Sequence, residues 1–290
     1  MRRRPTVTGR SATLRLPSRP WAMILLVVQF FISAFFLVGC GNQGHGVVIA
    51  GSTSVQPVME KIADSYRKTF PGRKVTVEGG GSSAGIMAAL TGTAHLGMSS
   101  RDLKQDHADE KTLTAIPLAL DAIAVIVNAE NPIQSLTLAQ LRELFSGKIR
   151  NWQDLGGKHR EVHLVVREEG SGTRTAFEEL VMKEGKTELP IDTYALVQDS
   201  TGGVREVVRT DPGAIGFISL GAVTKQIKAV HVDGVEPTIA AVKAQKYKLV
   251  RPFLLVTKGP PATDTQMLID YALGSAGVKL LLQEGLVGAH

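Results

Sequence analysis

The chain has 290 residues, room for one large or two medium domains, and carries 33 basic and 27 acidic side chains for a net charge of +6. Residues 1–39 hold six arginines and no acid, so removing those six leaves 27 basic against 27 acidic side chains from residue 40 onward. That neutral remainder also lacks five of the fifteen aromatic residues, which argues against a nucleic-acid footprint or a base-stacking platform.

The chain opens as an export signal. Arg2, Arg3, Arg4, Arg10, Arg15 and Arg19 form a basic n-region, and residues 21–36 are almost wholly apolar. Leu37-Val38-Gly39-Cys40 has the form of a lipobox, with small Gly39 before the cleavage point. Cys40, the only cysteine, reads as a lipidated N-terminus once the signal peptide 1–39 is removed. The competing reading is an uncleaved anchor, since the apolar stretch is nearly long enough to span. Residues 40–46 read as a short tether on that lipid.

Strand-like and helix-like segments then alternate. A strand over 47–50 precedes a helix over 55–70 with Val58, Ile62, Ala63 and Tyr66 on one side. A strand over 74–78, a small-residue helix over 83–91 and a buried strand over 96–98 follow. Two strands are expected over 114–118 and 123–128, then a helix over 138–144 capped by Thr137 or Ser135. The order strand, Gly-rich turn, helix recurs over 162–166 and 175–184. Further elements are a helix over 202–209, strands over 214–218 and 248–257, and helices over 264–273 and 275–283. Such repeated units imply an α/β fold with mixed, mostly parallel sheets, whose ligands bind beyond the carboxyl ends of the strands.

Polar turns fall at those ends. Gly51-Ser52-Thr53-Ser54 offers three hydroxyls where capping needs one. The run 79–85 is Gly-Gly-Gly-Ser-Ser-Ala-Gly; it also matches a dinucleotide fingerprint and, around Ser83, a nucleophile elbow, both short and common patterns. No histidine (His95, His107, His159 or His163) sits in a recognisable triad setting, so a Gly-rich, Ser-bearing loop ahead of a helix fits a small anion better. Arg167-Glu168-Glu169-Gly170-Ser171-Gly172-Thr173 combines a guanidinium fork with a helix-start turn. Glu169 is expected to steady Arg167. With local charge nearly balanced, recognition by directed hydrogen bonds is implied. Ser99-Ser100-Arg101-Asp102 adds another hydroxyl and another arginine.

These segments, together with Asn151-Trp152 and Gly213-Ala214-Ile215-Gly216-Phe217, stand in an order that resembles the phosphate-binding proteins of bacterial phosphate ABC importers, in their compact lipoprotein form. The resemblance covers essentially the whole chain after residue 40. It implies a two-lobed periplasmic-binding-protein type II fold with the cleft between lobes, lobe 1 over 47–119 and 222–290 and lobe 2 over 120–221. It implies capture of inorganic phosphate and delivery to an ABC permease, no enzymatic activity and no cofactor, by a monomer at the cell surface or in the periplasm. By position, the ligand groups would be Thr53, Ser54, Ser82, Ser100, Arg101, Asp121, Arg167, Ser171, Gly172 and Thr173. Long-form members place an Asp where Ser100 stands, and that carboxylate accepts the proton of monohydrogen phosphate and repels sulfate. Here the role falls to Asp121 or Asp102, or selectivity is achieved differently. Competing readings are a protein for another tetrahedral oxyanion (sulfate or molybdate), a secreted serine hydrolase built on Ser83, and a signalling or adhesion lipoprotein that senses phosphate.

Overall fold

The computed structural model describes residues 46–289; the export segment, Cys40 and nearly all of the tether lie outside the described residues. No helix among the described residues is long and apolar enough to cross a membrane. The chain begins with β1 (Val47–Gly51), α1 (Gln56–Thr69), β2 (Val75–Glu78), α2 (Ser82–Thr91) and β3 (Leu96–Ser99). The long β4 (Thr114–Asn128), β5 (Ser135–Leu136) and α3 (Leu138–Phe145) follow, then β6 (His163–Arg167) and α4 (Gly172–Phe177). A hairpin, β7 (Lys183–Glu184) and β8 (Thr187–Glu188), leads to β9 (Leu196–Gln198), α5 (Thr201–Thr210), β10 (Ala214–Ser219), β11 (Ile227–Ala229) and β12 (His231–Val232). The last elements are α6 (Ile239–Lys243), β13 (Val250–Thr257), α7 (Thr263–Leu273), α8 (Ser275–Gln283) and β14 (Val287–Gly288).

The main sheet runs in the order β2-β1-β3-β13-β4-β10-β6-β9, with β11 and β14 also paired to β4. β1 is parallel to β2 and β3, and β6 is parallel to β10 and β9, whereas β4 and β13 run antiparallel to their neighbours. β4 serves both halves. Thr114 to Ala122 pair with β13, and Ile123 to Val127 pair with β10. The sequence reads this strand as two because the apolar run breaks around Asp121, and that is where β4 exchanges partners.

Each half has its own core, as apolar side chains on both faces of a covered sheet require. One gathers Ile49, Met59, Ile62, Met98, Phe253, Leu255 and Leu268. The other gathers Ile123, Val125, Phe145, Trp152, Phe177 and Phe217. Val230, Val232, Val242, Tyr247 and Leu249 belong to this second core, because β11 pairs with Ile126 to Asn128 and draws the segment there. Residues 227–249, expected in the first lobe, therefore pack with the second, and the chain returns at Val250, opposite Ala122.

The helix expected over 175–184 starts earlier, at Gly172, and changes to a π-turn over Glu178–Met182 before ending. Phe177 stacks on Phe217 of β10 with centroids 3.9 Å apart and meets Phe145 edge-on at 4.7 Å. This aromatic anchor fixes the end of α4 relative to the sheet. At α3, Thr137 makes the cap, accepting from the Gln140 N–H while the Gln140 side chain returns to the Thr137 N–H.

Candidate anion site at the strand ends

Five polar turns leave the carboxyl ends of parallel strands β1, β2, β3, β6 and β9, which is where such folds collect ligand groups. Glycines let them approach closely. Gly51 has φ +138°, and a Cβ there would lie 2.3 Å from the Met98 carbonyl oxygen. A Cβ on Gly85 in α2 would lie 2.5 Å from the Ala50 carbonyl oxygen, so α2 sits directly on β1.

The hydroxyls form two sets joined through the backbone, where the Ser54 N–H donates to Ser52 Oγ at 3.3 Å. Ser52 Oγ donates to Ser100 Oγ at 3.0 Å, Ser82 Oγ lies 3.3 Å from Ser100 Oγ, and the Ser100 N–H donates to Ser82 Oγ at 3.0 Å. Ser54 Oγ lies 3.0 Å from both Thr173 Oγ1 and Thr201 Oγ1, and Thr53 Oγ1 lies 3.4 Å from Thr201 Oγ1. The Ser83 N–H donates to the Gly170 carbonyl at 3.1 Å. The turns of β1 and β2 thus meet those of β6 and β9 directly. Ser52, Ser54, Ser82, Ser100, Arg167, Ser171, Thr173 and Thr201 are all buried.

Arg167 ends β6 with its guanidinium enclosed. Its Nε and Nη2 donate to Glu168 at 2.8 and 2.9 Å, Nη1 reaches Thr201 Oγ1 at 3.3 Å, and Nη2 also reaches the Asp199 carbonyl at 3.2 Å. The carboxylate that steadies it is Glu168; Glu169, expected in that role, is exposed. Ser171 caps α4, accepting from the Thr173 and Arg174 N–H groups at 3.2 and 3.4 Å. That occupies its lone pairs and leaves its O–H as a donor. Gly172, next in the chain, keeps an N–H that the helix itself cannot satisfy.

Two sequence-predicted residues stand apart from this cluster. Arg101 forms a fork to Glu110, with Nη1 and Nη2 each donating at 2.9 Å. Burial alone would raise the Glu110 pKa, but the hydrogen bonds from Arg101 and the Lys104 N–H, with the charges of Arg101 and His107, outweigh it and hold the carboxyl below its ordinary range. This pair ties the loop after β3 and is not directed at the hydroxyls. Asp121, wholly buried, accepts from Ser219 Oγ at 2.7 Å and from Arg251 Nε at 2.9 Å. Burial pushes its pKa up against the opposing pull of Arg251 and Ser219. Each Asp121 oxygen accepts one of these bonds and Asp102 is exposed; among the described residues neither carboxylate is hydrogen-bonded to the hydroxyls of the cluster.

Ser52, Thr201 and Arg251 complete the network without being singled out by the sequence. Ser52 lies within a turn already marked by its three hydroxyls. Thr201 follows the same pattern of strand, polar turn and helix, but the apolar run Tyr194 to Val197 yields only the three-residue strand β9, exposed at Leu196 and Val197. Arg251 signals itself as a lone cation inside an apolar strand; its Nη1 donates to Thr173 Oγ1 at 2.6 Å. Among the described residues no histidine or carboxylate is hydrogen-bonded to the Ser83 hydroxyl. The Ser83 hydroxyl meets Arg101 Nη2 at 3.5 Å, while the rings of His95, His159 and His163 bond to the Val48 N–H, Gln153 and Asp211.

Residues 39–276 match a PBP superfamily domain. The phosphate-binding protein PstS of Borreliella burgdorferi is 29% identical over 275 residues, 91% of this chain and 98% of that protein. A solved structure from Clostridium perfringens, described as a phosphate ABC transporter substrate-binding protein with bound phosphate, is 38% identical. It superposes with a TM-score of 0.80 over 85% of this chain and 100% of its own. An ABC-type phosphate transport receptor from Vibrio cholerae is 34% identical, with a TM-score of 0.68 over 83% of this chain and 99% of its own. With its strand-end turns converging from two halves of a mixed α/β sheet, the chain belongs to the PBP superfamily, with the type II periplasmic-binding-protein fold, and within it to the phosphate-binding proteins of phosphate ABC transporters.

Proposed function

We propose that the chain captures inorganic phosphate outside the cytoplasm and hands it to an ABC permease, without chemistry on the ligand. The single observation that carries this reading is the joining of Ser54 and Thr53 to Thr173 and Thr201 across the two halves, beside Arg167. Donors from both sides of one cleft are what a ligand-closed binding protein needs. Thr53, Ser54, Ser82, Ser100, Ser171, Gly172 and Thr173 supply neutral donors, and Arg167 supplies the charged fork. Ser52 and Thr201 extend the set. A neutral-donor cradle around one balanced ion pair suits a desolvated oxyanion, each hydrogen bond to which contributes roughly 1.5–3 kcal/mol before ordering and desolvation are subtracted.

The proton of monohydrogen phosphate goes to a hydroxyl in this reading. Ser100 Oγ already accepts from Ser52 and, like any hydroxyl, can accept and donate at once. The lobes are 47–121 with 250–289, and 122–249, meeting where β4 and β13 cross. Cys40 carries a lipid that holds the monomer at the membrane surface, with no cofactor and no nucleic acid involved.

Calorimetry tests the ligand. Phosphate should bind one-to-one and millimolar sulfate should not displace it; no phosphate binding, or displacement by sulfate, overturns the assignment. Native mass spectrometry of the protein purified from membranes should find diacylglyceryl mass on a chain beginning at Cys40. A full-length unmodified chain removes the anchor from the reading. Absence of labelling by a fluorophosphonate probe disposes of the Ser83 hydrolase.

A further inference from the structure

Arg251 lies on β13 directly opposite Asp121 on β4, at the point where β4 passes from one half of the sheet to the other. Arg251 is 2% exposed. Its Nε donates to Asp121 Oδ2 at 2.9 Å, and Nη1 donates to Thr173 Oγ1 at 2.6 Å. Nη2 lies 2.8 Å from the same Asp121 oxygen, yet it is off the hydrogen-bonding direction and among the described residues has no other partner. A pair built only for stability would place two parallel N–H groups on two oxygens. Here Ser219 holds Oδ1 of Asp121 at 2.7 Å, so the fork is denied that geometry and one arm turns to Thr173. A buried guanidinium N–H without a partner needs an explanation.

We propose that Arg251 is a second anion-binding guanidinium of the cleft, held in place by Asp121 and acting on the same ligand as Arg167. Thr173 Oγ1 receives a proton donor from a cation, so its own O–H must point away from Arg251, toward Ser54 or a bound oxyanion. Arg251 thereby sets Thr173 as a donor. Arg167 is near enough for its charge to disfavour the charged form of Arg251, behind burial as the larger cause. Each guanidinium has one carboxylate, Glu168 or Asp121, and also turns one arm to a hydroxyl of the cluster, Thr201 or Thr173, so that one anion at those hydroxyls could meet both. This inference rests on the phosphate reading and deepens it: the oxyanion is sensed by one guanidinium on the second half and by one at the crossing between halves.

The test uses phosphate calorimetry with thermal unfolding on the wild type, Arg251→Met, Arg251→Lys and the double variant Asp121→Asn/Arg251→Met. The double variant leaves no unpaired buried charge and should unfold cooperatively. It should lose phosphate affinity by roughly 10- to 100-fold, as should Arg251→Met. Arg251→Lys should recover part of that loss by retaining the charge. A folded double variant whose dissociation constant stays within about threefold of wild type overturns the inference, as does a lysine variant no better than methionine. A wild-type protein that does not bind phosphate overturns the ligand reading itself, a result distinct from an unchanged variant.

Discussion

Gly172 and Ser82 meet across the cleft so closely that a Cβ on Gly172 would lie 2.3 Å from Ser82 Oγ, and 2.7 Å from Ser100 Oγ. The position demands the absence of a side chain, not an unusual backbone, because Gly172 does not adopt a left-handed φ. Gly172→Ala should therefore leave the helix intact, or firm it by up to about 1 kcal/mol, while obstructing the approach of the two halves. Phosphate affinity should fall by about 1–3 kcal/mol, the usual cost of overpacking. Calorimetry and thermal unfolding on the same sample separate the two effects; equal affinity would show that these turns need not come together.

Arg167 and Glu168 make a second test. Arg167→Ala should weaken phosphate binding by about 2–5 kcal/mol, because a desolvated charged donor is lost. Arg167→Lys should restore little, since one ammonium cannot reach Glu168, Thr201 and Asp199 together. Glu168→Gln should cost affinity by freeing the fork, and Glu169→Gln, at an exposed position, should be near neutral. The reverse order of the two glutamate variants would return the orienting role to Glu169.

Much of this site is legible in the sequence because its chemistry is local. Gly-Ser-Thr turns after apolar strands announce donor clusters, and Ser52 to Ser54, Ser82, Ser100 and Ser171 to Thr173 do assemble. What the sequence conceals depends on long-range pairing. Arg101 and Arg167 look alike as arginines after buried strands, and only the fold gives the first to Glu110. Asp121 looks like a cleft carboxylate because it interrupts an apolar run, but its partner Arg251 is 130 positions away. The boundary of the second half is likewise hidden, because β11 is three residues long and its allegiance is decided by pairing with β4.

The Arg101–Glu110 pair should be a stability element that leaves affinity alone. Glu110→Ala strands a buried guanidinium and should cost about 3–5 kcal/mol, with phosphate affinity of the folded fraction unchanged. The pair also gives a pH signature. Since the folded-state pKa of Glu110 lies below its unfolded value, its contribution is present above that unfolded value, near 4.5, and is lost as pH falls through the lower folded one. Denaturant melts between pH 6 and 3 should show a shallower acid loss in Glu110→Gln than in wild type. Parallel curves would exclude Glu110 as a contributor.

Trp152 and Gly213 belong to two sequence segments with no obvious chemistry, and the fold joins them: the Trp152 indole N–H donates to the Gly213 carbonyl at 2.9 Å in the second core. That bond fastens the loop before β6 to the turn before β10, the two parallel strands whose pairing carries Arg167 to the cleft. Trp152→Phe keeps much of the apolar volume but removes one of the two donors to the Gly213 carbonyl, which keeps the His163 N–H at 3.0 Å. It should destabilise the protein by about 0.5–1.5 kcal/mol for the lost hydrogen bond, with a further loss for the smaller ring. Because the site lies on the far end of the same strands, phosphate affinity should hold within about threefold. Urea unfolding monitored by far-ultraviolet circular dichroism, which does not depend on the lost fluorophore, gives the stability change. An unchanged midpoint would mean that the indole bond is replaced by water at no cost and that the loop is held by packing alone.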